Sequence, residues 1–221
     1  MRRCFGFACL MLATGVLLPS FANGQITFGQ VDNFQSLDTS GWTMGLNSIM
    51  LPIVISTGGP EGANDPWLEV ISTGGAKANS KMVTFNAQQW TGNYVTAGVT
   101  AITAEMADFG PSPLYMRTAI QDNFGSEYGS TTAFMLPPDS QWHLVTFDMT
   151  PQGQSLIQGG SSATQALSDV GVLRILSAQN APLFMADTVQ ATLGIDDITA
   201  VPEPTLLAGL SLAALLRRPR R

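Results

Sequence analysis

The segment Leu114-Tyr115-Met116-Arg117-Thr118-Ala119-Ile120-Gln121 carries the clearest structural pattern in the chain. Leu114, Met116, Thr118 and Ile120 fall on one side of an extended chain, and Tyr115, Arg117, Ala119 and Gln121 on the other. That is the period-two pattern of a half-buried β-strand. Leu173 and Ile175 separate from Val172, Arg174 and Leu176 in the same way. Further runs rich in Val, Ile, Thr and aromatic residues lie between clusters of Gly, Pro, Asn, Asp and Ser. The strands expected are Ile26–Val31, Gly41–Met44, Trp67–Ser72, Lys81–Asn86, Val99–Met106, Leu114–Gln121, Thr131–Leu136, Trp142–Met149, Gly171–Leu176 and Thr188–Thr199. No segment has convincing helical periodicity, and Ser161–Val170 has room for one short turn. Thr150–Ser168 reads as a long loop. About ten short strands at this spacing predict an all-β fold, an antiparallel β-sandwich. The hexapeptide Val-Ile-Ser-Thr-Gly-Gly occurs at Val54–Gly59 and Val70–Gly75. Two copies do not make a solenoid, and both read as strand ends running into glycine turns.

The strands occupy the middle of a 221-residue chain with distinctive ends. Arg2 and Arg3 precede an apolar run from Cys4 to Leu18, followed by Pro19 and small residues. This is the layout of a secretory signal peptide, with cleavage by signal peptidase expected after Ala22 or Gly24. Both cysteines, Cys4 and Cys9, lie inside it, so the chain beyond has no disulfide and no Cys ligand or nucleophile. At the other end, Val201-Pro202-Glu203-Pro204 is followed by twelve uncharged residues, Thr205 to Leu216, and then by Arg217, Arg218, Arg220 and Arg221. An apolar helix before a basic cluster is a stop-transfer arrangement. Twelve helical residues cover only about 18 Å, short of a roughly 30 Å hydrocarbon core. The three regions expected are therefore a signal peptide over 1–24, a β-sandwich over 25–200 and a sorting or anchoring segment over 201–221.

Residues 25–200 hold four basic side chains, Lys77, Lys81, Arg117 and Arg174, against fifteen acidic ones, a net charge of −11. Such a surface repels phosphate backbones, so nucleic acid is excluded as a partner. The single histidine, His143, reads as a surface or half-buried strand residue, and one His without Cys excludes zinc. Fifteen acids supply many pairs, so glycosidase chemistry has no specific signature here. Trp42, Trp67, Trp90, Tyr94, Tyr115 and Trp142 are candidates for a sugar-stacking platform, with core packing as the commoner fate of a strand Trp. Tyr115 and Arg117 are the candidate ligand-binding pair, although pairing with an acid is the expected role of Arg117.

Two resemblances add to this. Pro202, Glu203 and Pro204, the apolar segment and the terminal arginines together resemble the PEP-CTERM sorting signal of exported bacterial proteins. That resemblance implies an exosortase-like sorting enzyme as partner and contact with the membrane through the tail. The body resembles galactose-binding-like carbohydrate-binding-module jelly rolls. The segments concerned are Val31-Asp32-Asn33-Phe34 with Ser40-Gly41-Trp42, Gly58 to Leu68, and Leu193-Gly194-Ile195-Asp196-Asp197-Ile198. It implies terminal strands that lie side by side, glycan binding in many relatives and a structural calcium ion in many. Asp32, Asp65, Asp196 and Asp197 fall in these segments and are the candidate calcium ligands, since calcium takes six to eight oxygens. The expected protein is non-catalytic, exported to the cell surface or extracellular matrix, and binds polysaccharide. The alternatives are a purely structural envelope protein and a glycan-active hydrolase.

Overall fold

The alternating segment lies in the middle of a sheet. In the computed structural model, which describes residues 25–44, 51–77 and 80–202, it is β6 of twelve strands. These are β1 Val31–Asp32, β2 Ile53–Ile55, β3 Trp67–Thr73, β4 Val83–Asn86, β5 Ala101–Asp108 and β6 Leu114–Asp122, followed by β7 Glu127–Ser130, β8 Phe134–Leu136, β9 His143–Asp148, β10 Gln154–Gln158, β11 Val170–Ser177 and β12 Gln190–Val201. Every strand pairing is antiparallel. The first sheet runs β2-β3-β12-β5-β9, with β1 also on β12; the second runs β10-β7-β6-β11-β4, with β8 also on β6. The two face each other as an antiparallel β-sandwich, as the strand pattern predicts, with the jelly-roll architecture that the resemblance implies.

The inward rows follow from the alternation. Leu114, Met116 and Ile120 of β6 and Leu173 and Ile175 of β11 meet Ile102, Ala104 and Met106 of β5 and Leu193, Ile195 and Ile198 of β12 in one buried cluster. At roughly 1.5–3 kcal/mol for each fully buried large aliphatic side chain, this layer is the dominant stabilising term. The first and last strands do lie side by side, with Val31 opposite Thr199 and Asp32 opposite Ile198.

Several local expectations are corrected. Of Ile26–Val31 only Val31 is strand, joined in β1 by Asp32, and Gly41–Met44 makes only an isolated bridge between Thr43 and Phe85. Phe34 and Leu37 there have positive φ, which bends the chain so that Phe34 and Trp42 plug the core instead of extending along it. Thr150–Ser168 is not one loop. It holds a 3₁₀ turn at Pro151–Gly153, strand β10 and helix α2, Ala163–Leu167. A reciprocal cap between Ser162 and Gln165 starts α2, within the span where one turn was expected. A second short helix, α1 at Tyr94–Ala97, starts at Asn93 and ends at Gly98, whose φ of 70° suits glycine. The signal segment 1–24, Glu203, Pro204 and the apolar tail lie outside the described residues. Pro202 directly follows β12. Among the described residues no helix is long and apolar enough to cross a membrane.

Candidate functional site

The aromatic candidates have three different fates. Trp42, Trp90 and Tyr94 are core residues. The indole N–H groups of Trp42 and Trp90 both donate to Oδ2 of Asp32, at 2.7 and 2.6 Å, and the Tyr94 hydroxyl donates to the Trp90 carbonyl. Burial pushes the Asp32 carboxyl up, and the two indole donors partly offset that. Asp32 thus ties the segment after β1 to the loop before α1. That use of its acceptor oxygen separates it from the other acids expected to share a cation.

Trp67, Phe109 and Trp142 pack together on the outer face of the first sheet. Trp67 meets Phe109 at 5.2 Å and Trp142 edge-on at 5.7 Å, and Phe109 meets Trp142 edge-on at 6.1 Å. They stand over Gly194, where a Cβ would come within 2.9 Å of both Phe109 and Trp142. The indoles of Trp67 and Trp142 donate to the carbonyls of Thr57 and Gly58 and hold that loop down. Two of the three ring pairs are edge-on, and the cluster packs over Gly194 and pins the Thr57–Gly58 loop.

Tyr115 has the third fate. It lies at the start of β6 on the outer face of the second sheet, is half-buried, and lines a cleft of about 410 Å³ with Ser177, Gln179, Asn180, Asp187 and Thr188. The cleft combines one aromatic residue with hydroxyl, amide and carboxylate groups, the mixture that hydrogen-bonds a sugar's hydroxyls while covering one ring face. A larger recess of about 520 Å³, lined by Gln25, Gln88, Thr91, Asn123 and Asp169 among others, has no aromatic residue in its wall.

Arg117 supports this cleft from beneath and does not open into it. It is 6% exposed. Its Nε donates to the Ala178 carbonyl at 2.8 Å, and its Nη1 to the carbonyls of Ser130 and Thr131 at 2.5 and 2.8 Å. The acid partner expected from sequence is replaced by these three carbonyls. Burial lowers the guanidinium pKa, and Asp187 partly restores it.

The remaining acids converge around a bulge. The register of β12 against β5 shifts between Asp196 and Thr199, and Asp197 has a φ of 48°. The simple opposition of Asp196 and Asp197 expected for a regular strand is therefore lost. Asp196 is 1% exposed. Burial, with Asp197 and Asp65 nearby, pushes its carboxyl up to about 8. Burial, then Glu61 and Asp65, raise Asp197 too. Asp65 accepts from Gln35 Nε2 at 2.9 Å and from the Glu61 N–H at 2.8 Å. Three of the four predicted calcium ligands are thus neighbours. Yet among the described residues no group of three or more His, Cys, Asp or Glu is arranged to hold a metal ion. The donor set does not form a ready cage among the described residues. His143 is half-exposed and pairs with Asp139 at 3.2 Å.

No family model and no curated protein matches this sequence. Solved structures share its fold. An exo-beta-agarase is 13% identical with a TM-score of 0.52, over 80% of this chain and 25% of that one. The family 11 carbohydrate-binding module from Clostridium thermocellum, in complex with a beta-1,3-1,4-mixed-linked tetrasaccharide, is 12% identical with a TM-score of 0.50, over 80% of this chain and 100% of the module. The chain therefore spans a quarter of the agarase and the whole of the module. The chain shares the β-sandwich fold of these structures.

Proposed function

We propose that this chain is a non-catalytic, exported surface or matrix protein that binds polysaccharide at the Tyr115 cleft. The observation that carries the proposal is an aromatic residue opening on a polar cleft, on the outer face of a module-like sandwich. Hydrolysis has less support. It needs two acids facing each other across an open cleft, whereas Asp65, Asp196 and Asp197 are packed around a bulge with Asp196 out of reach of solvent. Export and sorting rest on the sequence of the two ends, with signal peptidase and an exosortase-like enzyme as the processing partners. Affinity electrophoresis of the purified protein through neutral and acidic polysaccharides tests the binding. Retardation by one class that Tyr115→Ala abolishes supports the proposal. Equal mobility in every gel from a folded sample returns the protein to a purely structural role. A structural calcium ion enters as a separate question: melting curves in calcium and in chelator that coincide would dismiss it.

A further inference from the structure

The outer face of the second sheet carries a cover made by the chain itself. Residues 178–187 leave β11 at Ser177 and return beside it: Ala178 N–H donates to the Tyr115 carbonyl, Asp187 N–H to the Ser177 carbonyl, and Gln179 N–H to the Asp187 carboxylate. Between those ends the segment crosses the sheet. Phe184 and Ala186 turn inward onto Val83, Ala119 and Leu176, forming an apolar cluster outside the main core. Leu183 and Met185 alternate outward, 39% and 50% exposed. Gly129 of β7 leaves room for the crossing, because a Cβ there would stand 2.8 Å from Cβ of Pro182. Its φ is not positive, so the absent side chain is a matter of space and not of backbone strain.

The cations of the molecule converge under this segment. Of the four Lys and Arg between residues 25 and 200, three donate to its carbonyls: Arg117 to Ala178 at 2.8 Å, Arg174 to Phe184 at 3.0 Å, and Lys81 to Ala186 at 3.0 Å. The Arg174 guanidinium lies 3.6 Å from the Phe184 ring centroid and 5.3 Å from that of Phe85. Its Nε is buried with no hydrogen-bond partner. Burial lowers its pKa to about 10, and the one acid that counters this is Glu127. In a body of charge −11, the scarce cations are gathered on one sheet face and hydrogen-bonded to neutral carbonyls. Asp187 acts on Arg117 and Glu127 on Arg174, but neither forms an ion pair with them among the described residues. A carboxylate would add the opposite charge, and with a guanidinium a bidentate pair, that a carbonyl does not supply.

We propose that residues 178–187 occupy, as an internal stand-in, a binding face for acidic polysaccharide, and that Arg174, Lys81 and Phe85 become available to a uronate-bearing chain when the segment lifts. The proposal extends the saccharide-binding reading from the open cleft to the covered face beside it. The segment is loosely enough held for this. Between Asn180 and Met185 its one hydrogen bond to the sheet is that from Arg174. Phe184 is the one large side chain it buries.

The test uses the purified full-length protein and polygalacturonate, with neutral mixed-linkage β-glucan as control. Gly129→Ala pushes Pro182 off the sheet, and Phe184→Ser removes the inward ring; both keep the three cations. Each is expected to bind polygalacturonate at least tenfold more tightly than the wild type and to gain nothing for the neutral glucan, because Gln179, Asn180 and Asp187 of the lifting segment also line the Tyr115 cleft. Adding Arg174→Gln is expected to erase the gain. Folded variants with no gain, or a gain that survives Arg174→Gln, overturn the proposal. Should neither variant fold, hydrogen exchange on the wild type decides: polygalacturonate must speed exchange at 179–186, and unchanged exchange overturns the idea. Tyr115→Ala separates the two readings, since it removes binding in the open cleft and leaves the gain from lifting the segment.

Discussion

Replacing Asp32 tests how residues 25–44 are tied to the sandwich. Its Oδ2 accepts from the indoles of Trp42 and Trp90 and, at 3.3 Å, from Gln89 Nε2. Both indoles are buried, so neither finds water once the acceptor is gone. An unsatisfied buried donor costs about 1–3 kcal/mol, giving about 2–6 for the pair. Removing the carboxylate also removes its own desolvation penalty, the cause of its raised pKa, and this offsets part of the loss. Asp32→Ala is therefore expected to cost about 3 kcal/mol, or about 6–12 °C in melting temperature for a domain of this size. Asp32→Asn keeps an oxygen for both indoles and gives up only the charge, so its cost should stay below about 1 kcal/mol. Urea unfolding followed by tryptophan fluorescence reads both variants, and the alanine variant should also shift native emission to the red. Equal losses from the two substitutions would refute the argument, because the carboxylate would then act through its charge and not as an acceptor. An alanine variant as stable as the wild type would refute it equally.

Arg117→Leu takes the donor from the carbonyls of buried Ala178 and Ser130 and of exposed Thr131, and should cost about 2–3 kcal/mol in the same assay. Gly194→Ala drives a methyl group into the Trp67–Phe109–Trp142 cluster and should cost about 1–3 kcal/mol, seen as a lower urea midpoint with unchanged slope. Stability should fall as pH rises from about 4 to about 8: above 3.8 the unfolded Asp196 has lost its proton, while the folded one keeps it until about 8. The slope from this group approaches about 1.4 kcal/mol per pH unit. Asp196→Asn should flatten it, and unfolding midpoints at pH 5, 6.5 and 8 that do not converge in the variant would count against the assignment.

What could be read in advance follows from which faces are covered. Strands β6, β9 and β11 alternate because one side meets the core and the other meets something more polar. Glu127–Ser130 has no such signature, since all four of its residues are buried, packed between the core, β10 and the covering segment. Gln154–Gln158 is an edge strand of mostly polar residues, and Ile53–Ile55 is three residues long, too short to show a period. The same logic explains the site residues. Tyr115 was recognisable because it opposes an apolar row. The partners of Arg117 were not, because backbone carbonyls leave no mark in a sequence. The covering segment left one trace, the alternation of Leu183 and Met185 with Phe184 and Ala186 after Pro182. A loop with a strand-like period needs a sheet to lie on, and that need is visible only once the sheet is built.

The position of the cleft relative to the tail bears on the proposed sorting. Thr188 and Val189, in the wall of the Tyr115 cleft, immediately precede β12, and the Pro-Glu-Pro segment immediately follows its last residue, Val201. Twelve residues at about 3.3 Å each carry the chain roughly 35–40 Å, less a little for the bulge, from one end of the sandwich to the other. Strand β12 is central, with β3 and β1 on one side and β5 on the other, so this path runs through the body and not around it. The larger polar recess takes in Asn123 and Val170, at the opposite end of β6 and β11 from Tyr115 and Ser177, which is the end where Val201 emerges. A tail held in a membrane or fixed to a surface would bring that recess close to the surface and carry the Tyr115 cleft away from it. The covered face of the second sheet would stand upright between them. An exported binder gains from that orientation, because a polymer chain can reach the distal end without first crossing the layer to which the tail is attached. A purely structural role asks for no such polarity. Protection of Tyr115 from a soluble oxidant when the full-length protein is reconstituted in vesicles would contradict the arrangement; free reaction there, with protection confined to the neighbourhood of Val201, would agree with it.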